Sequence, residues 1–230
     1  MFGNLTESRY SKGLTVVLII VILIVLGLLG YFGYEIITKM NRDRTQQEGV
    51  AAVDNAISRK KKRNTVKNTN TDNSSLEIPT LNVTNTQVED DGDSNIEYFN
   101  GYVMAGKIEI PAINLEYPIL ESRSAGAIEV AVAVSYTQNG INQPGNTVII
   151  GHNYRDGSFF GKNDRLKNGD KVYITDMTGT RIKYNIYNIY EAAPEESDYF
   201  TKETNGKREI VLATCTDNSK ARLIIFAAEE

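Results

Sequence analysis

Arg181-Ile182-Lys183-Tyr184-Asn185-Ile186-Tyr187-Asn188-Ile189-Tyr190-Glu191 is the stretch on which the fold turns. Lys183, Asn185, Tyr187 and Ile189 alternate with Tyr184, Ile186, Asn188 and Tyr190, a period of two that suits a strand with differing faces. Outward from it, short runs rich in Val, Ile and Tyr recur between Gly, Asn and Pro. They predict strands at 106–110, 130–136, 147–152, 171–175, 181–191, 209–215 and 222–227, with 117–120 as one more. Helical capacity is small, a turn near 124–129 and another near 159–166. Seven or eight strands over 101–230 with little helix predict a mainly β domain, a closed or nearly closed β-barrel with short helices. Closure removes free edges and can bury a core at this size.

The N-terminal part reads differently. Residues 13–34 carry no charge and are mostly Leu, Ile or Val. At about 1.5 Å per residue this run reaches roughly 33 Å, enough to cross a hydrocarbon core of about 30 Å. Tyr31 and Tyr34 stand where an interfacial aromatic belt is expected. A cleaved signal peptide has a shorter apolar region and a small-residue cleavage site. Gly33-Tyr34-Glu35-Ile36 follows here instead. The reading is a tail at 1–12, a transmembrane helix at 13–37 and a polar, mostly disordered linker at 38–100, in which 50–57 can extend a juxtamembrane helix. Arg9 and Lys12 oppose Lys39, Arg42 and Arg44 across the span, a count that slightly favours a cytoplasmic C-terminus. The run Arg59-Lys60-Lys61-Lys62-Arg63 reads as a solvated tract, with attraction to anionic lipid or another polyanion as the alternative.

Composition narrows the chemistry. There are 25 basic and 29 acidic side chains, and neither half is basic, so nucleic acid is not an expected partner. One cysteine excludes an intrachain disulfide, and with one histidine it excludes a structural zinc site. No phosphate-cradling glycine loop or metal-ligand cluster stands out, and no cofactor or metal is predicted.

Three residues draw notice by position. His152 ends the apolar run Thr147-Val148-Ile149-Ile150-Gly151-His152, and Cys215 ends Ile210-Val211-Leu212-Ala213-Thr214-Cys215. Arg222 opens the last strand after a six-residue loop, 216–221. If the last two strands form a hairpin, Cys215 and Arg222 meet at one sheet end. His152 is not placed beside them by sequence, but its strand-terminal position allows it. Taken singly, each has an ordinary reading: a small buried hydrophobe, a loop residue and a surface charge. Together they suit acyl transfer. A free thiol is only a few per cent thiolate at neutral pH, and a nearby imidazolium or guanidinium favours the thiolate. The imidazolium can then protonate a leaving amine, while the guanidinium stabilises a tetrahedral oxyanion.

The Leu212-Ala213-Thr214-Cys215 strand end, Arg222 seven residues on, Gly151-His152 closing an earlier strand and Gly106-Lys107-Ile108-Glu109-Ile110-Pro111 resemble the sortases, membrane-anchored cysteine transpeptidases of Gram-positive bacteria. The resemblance covers about 106–227. It implies an eight-stranded barrel with Cys215 as nucleophile, His152 as acid and Arg222 as substrate and oxyanion partner. It also implies cleavage within a Leu-Pro-x-Thr-Gly-like sorting signal of surface proteins, and transfer through a thioester to an amine on a cell-wall precursor or a pilin. The catalytic domain is then extracytoplasmic and the N-terminus cytoplasmic, against the weak charge count. Val211 and Thr216 depart from the family pattern. Gly151-His152-Asn153 with Asp156-Gly157-Ser158-Phe159-Phe160 resembles class B, while the short connection from Tyr190 to Glu209 favours class A or D. The acidic residues Glu191, Glu195, Glu196 and Asp198 read as a solvated loop rather than a calcium-responsive one. Two alternatives stand beside this. An L,D-transpeptidase-like cross-linker would have a histidine where Ala213 stands. A non-catalytic surface interaction module would simply bury Cys215.

Overall fold

The computed structural model describes residues 5–69, 96–216 and 220–230. The chain divides into two compact units, Met1–Arg44 and Thr45–Glu230. The first contains most of helix α1 (Leu5–Thr69), whose large apolar side chains from Leu14 to Ile37 are largely exposed. The part spanning Gly13–Arg63 is long and apolar enough to cross a membrane.

The second unit holds β1 (Tyr98–Phe99), β2 (Tyr102–Ile110), β3 (Leu115–Leu120), α2 (Ala125–Val130), β4 (Val132–Thr137), β5 (Gly145–Ile150), β6 (Lys171–Asp176), β7 (Arg181–Ala192), β8 (Arg208–Thr216) and β9 (Ala221–Glu229). All eight predicted strands are present, mostly a residue or more longer. The predicted turn at 124–129 is α2, with the Ser124 hydroxyl accepting from the Ala127 N–H as its N-cap. The turn predicted at 159–166 shrinks to a 3₁₀ turn, Asn163–Arg165. The strands run in the order β2-β3-β4-β5-β8-β9-β7-β6, and β6 pairs back onto β2 from Gly106↔Asp176 to Glu109↔Tyr173. That pairing closes an eight-stranded barrel, to which the two-residue β1 is an addition. Most neighbours are antiparallel, but β3–β4 and β5–β8 are parallel.

Alternation along the strands sorts the side chains into layers. On β8, Ile210 and Leu212 join Ile108, Ile119, Ile149, Ile174 and Ile225 in the barrel interior. Val211 and Ala213 face outward with Val148, Ile224 and Phe226, where Tyr199 of the β7–β8 connection covers them.

The disordered linker read over 38–100 is corrected for its first part. Residues 38–69 are helical, and 98–99 form β1 on the barrel. Residues 70–95, the rest of that linker, and 1–4 of the predicted tail lie outside the described residues, as do 217–219 of the loop before Arg222. The helix holds because one narrow stripe of it has partners. Val53 and Ala56 are fully buried, Val53 among Phe99, Met104, Leu120 and Ala127. Burying a valine contributes about 1.5–3 kcal/mol, enough to offset the cost of ordering that residue. Gly49 lets the backbone come close: a Cβ there would stand 2.5 Å from Pro118 Cγ and 2.9 Å from the Phe99 ring. Polar contacts flank the stripe. Gln46 Nε2 donates to the Val130 carbonyl at 2.6 Å, and Lys107 Nζ lies 2.9 Å from Asp54 and 3.1 Å from Glu116. Part of the basic run is engaged too, Arg59 pairing with Glu97 at 2.9 Å.

Candidate active site

β8 and β9 pair in register, and Cys215 stands directly opposite Arg222. Directly opposed residues of an antiparallel pair project to the same face. By alternation that is the outer face, shared with Val211, Ala213, Ile224 and Phe226. Arg222 also lies opposite Ala192 of β7, so it stands between two strands. Its Nη1 donates to the Ala221 carbonyl at 3.0 Å. Both Cys215 and Arg222 are partly buried. Tyr199 closes this corner. Burial pushes its phenol up, the Arg222 charge pulls the other way, and Cys215 adds to the rise.

His152 arrives through the parallel β5–β8 pair, which runs in step to Ile150↔Ala213. The strand predicted to end at His152 ends at Ile150, because β4 begins at Val132 and its ladder with β5 stops at Ala133↔Ile150. Two bonds then hold the next residues against β8. Thr214 Oγ1 donates to the Gly151 carbonyl at 2.7 Å, and Asn153 Nδ2 donates to the Cys215 carbonyl at 2.7 Å. His152 is therefore fixed on both sides to the chain that carries the thiol. Gly151 has no room for a side chain, since a Cβ would meet Val132 at 2.9 Å and Phe160 at 3.0 Å.

The imidazole has an aromatic wall. Its centroid lies 5.2 Å from that of Tyr154 and 6.2 Å from that of Phe159. Phe159 is buried with φ 54, an uncommon conformation for a bulky residue, and its N–H donates to Tyr117 Oη at 2.9 Å. Nε2 of His152 lies 3.0 Å from Glu129 Oε1, and the other oxygen of that carboxylate accepts from Tyr154 Oη at 2.9 Å.

The β7–β8 connection, 193–207, forms turns without a helix. Asn146 of β5 pins it, donating from Nδ2 to the Tyr199 carbonyl at 2.8 Å and the Phe200 carbonyl at 2.9 Å. Tyr190 Oη donates to Glu196 at 2.7 Å and Thr216 Oγ1 to Glu191 at 3.4 Å. Among the described residues no group of three or more His, Cys, Asp or Glu side chains converges as metal ligands do.

The structure thus pairs Cys215 with Arg222 across β8–β9, and it ties the residues on either side of His152, not the imidazole itself, to the end of β8. Sequence reasoning missed Glu129, Asn153, Tyr154, Tyr199 and Thr214. Thr214 and Asn153 adjoin residues that were noticed, but Glu129 and Tyr199 carry no local signal, because only barrel closure brings their elements to the site.

The closed eight-stranded barrel thus carries a cysteine and an arginine at the ends of β8 and β9 and a histidine just beyond β5. Residues 108–230 match the sortase domain family, and since this is more than half of the chain, the protein belongs to the sortase family. It is 32% identical over 123 residues to sortase A of Bacillus anthracis, an alignment covering 52% of this chain and 57% of that protein. The chain thus spans little more than half of that curated relative's length. Among solved structures, sortase C-1 of Actinomyces oris is 25% identical with a TM-score of 0.50, covering 54% of this chain and 72% of its own. The sortase D5 transpeptidase of Clostridium perfringens is 25% identical with a TM-score of 0.51, covering 55% and 79%.

Proposed function

We propose that this chain is a membrane-anchored cysteine transpeptidase that joins surface proteins to an amine of the cell wall or of a pilin. The observation that carries the reading is the juxtaposition of Cys215 with Arg222 across β8–β9, with the chain on both sides of His152 tied to β8. The thiolate of Cys215 attacks the carbonyl of a Leu-Pro-x-Thr-Gly-like sorting signal, and the Arg222 guanidinium stabilises the oxyanion. The C–N bond breaks, and the leaving amine takes a proton from the His152 imidazolium. A second amine gives its proton to the neutral imidazole, attacks the thioester and releases the thiolate. With the apolar part of α1 as anchor, the barrel lies outside the cytoplasm, where such substrates and acceptors are. Protease shaving of intact cells removes the domain under this topology and spares it under the opposite one.

The test is incubation of the full-length protein in detergent micelles with a library of sorting-signal peptides and triglycine, followed by mass. A Cys215 acyl-enzyme and a triglycine conjugate are expected. If no peptide yields an acyl-enzyme and Cys215 resists a small thiol-selective reagent in the folded protein, the reading gives way to a non-catalytic surface module.

A further inference from the structure

Glu129 lies outside the trio that performs this chemistry, yet it is the charged group against the histidine ring. We infer that Glu129 is a positioning residue that fixes which nitrogen of His152 handles the proton, an inference that rests on the function proposed above. Three observations converge on it. Glu129 Oε1 lies 3.0 Å from Nε2 of His152. Its Oε2 accepts from Tyr154 Oη at 2.9 Å, and the Tyr154 ring lies 5.2 Å from the imidazole, so one carboxylate orients the ring and its aromatic neighbour together. The helix that carries Glu129 is itself anchored: the carbonyl of the next residue, Val130, accepts from Gln46 Nε2 at 2.6 Å, and Gln46 is buried at 3% exposure.

The consequence is electrostatic. The Nε2 contact is close but off the line of a directed hydrogen bond, so charge links the two groups. A carboxylate beside Nε2 repels a lone pair there and favours N–H. In the neutral ring the lone pair is then on Nδ1, and in the imidazolium the Nδ1 proton is the one free to leave. Nδ1 is therefore the nitrogen that gives its proton to the departing amine and later takes one from the incoming amine. Glu129 acts through the ring and takes no part in bond making.

His152 is the only histidine, so its ring signals can be read in the intact protein. Full-length protein labelled with ¹⁵N in the histidine ring should show, in the neutral form, a protonated Nε2 and an unprotonated Nδ1. In Glu129→Gln the populations should move toward the Nδ1–H tautomer, and Glu129→Asp, which keeps the charge, should restore part of the bias. Glu129 is 62% exposed, so the charge acts through solvent and the change should be modest. Single-turnover acylation of a Leu-Pro-x-Thr-Gly peptide should slow about two- to fivefold with KM and unfolding temperature unchanged. Ring signals in Glu129→Gln identical to the parent's would overturn the proposal. So would a tautomer shift with no change in acylation. A parent protein that acylates no peptide would sink the function reading alone, and the ring spectrum would still decide whether Glu129 sets the tautomer.

Discussion

At the scale of single residues, the site separates a side chain that must be one chemical type from one that must have one shape. Cys215 is the only thiol in the chain, so Cys215→Ala should abolish both hydrolysis and transfer. His152→Ala should be nearly as severe, since no second histidine exists to protonate a leaving amine. Arg222 is the sharper probe. It lies between Cys215 and Ala192 on its two neighbouring strands, and Arg222→Lys keeps the charge while losing the planar fork. Single-turnover acylation should fall by about 10²–10³, the scale of one oxyanion donor. A rate within about a factor of two of the parent, the behaviour of an uninvolved surface charge, would remove Arg222 from the chemistry.

At the scale of elements, the β7–β8 connection packs on the outer face of β5, β8 and β9 through Tyr199 and Phe200. Asn146 holds two carbonyls of that connection at once. Asn146→Ala leaves both unpaired near a buried face, which should cost about 1–3 kcal/mol and raise KM more than it lowers acylation at saturation. Denaturant unfolding and steady-state kinetics on the same variant measure both. At the opposite end of β8–β9, Arg208 donates to Glu229 from its backbone N–H at 3.1 Å and from Nη1 at 2.8 Å. These bonds hold the Glu229 carboxyl below its ordinary 4.5. A depressed carboxyl stabilises the fold above its unfolded value and loses that contribution as pH falls through its folded value. The parent should therefore lose more stability than Glu229→Gln as pH falls below the ordinary carboxylate value, and unfolding midpoints measured on either side of it check the sign. Strands were legible in sequence because alternation is local, as in the run through Tyr184 and Ile186. Cys215 and Arg222 were legible as a hairpin pair for the same reason. The placement of His152 was not, because it depends on the pairing of β5 with β8, two strands far apart in sequence.

At the scale of the whole molecule, the largest departure from the sequence reading is the helical segment that follows Arg44. Its average composition is polar, and the average concealed a stripe of Gln46, Gly49, Val53 and Ala56 at helical spacing. Gly49→Leu should drive a side chain into Pro118 and Phe99, costing about 1–3 kcal/mol and lowering the unfolding temperature of the full-length protein. An unchanged temperature would mean that the segment contributes nothing to the barrel. The parallel β5–β8 pair has a further consequence, for the order of events during synthesis. Gly145 pairs with Arg208, 63 positions later in the chain, and closing so long a loop is slow compared with forming hairpins. Cys215 and His152, the nucleophile and acid of the proposed reaction, come from the two sides of that contact. On the function proposed above, a nascent chain holds its thiol apart from His152 until β5 and β8 pair, and acyl transfer should appear only once that contact is made.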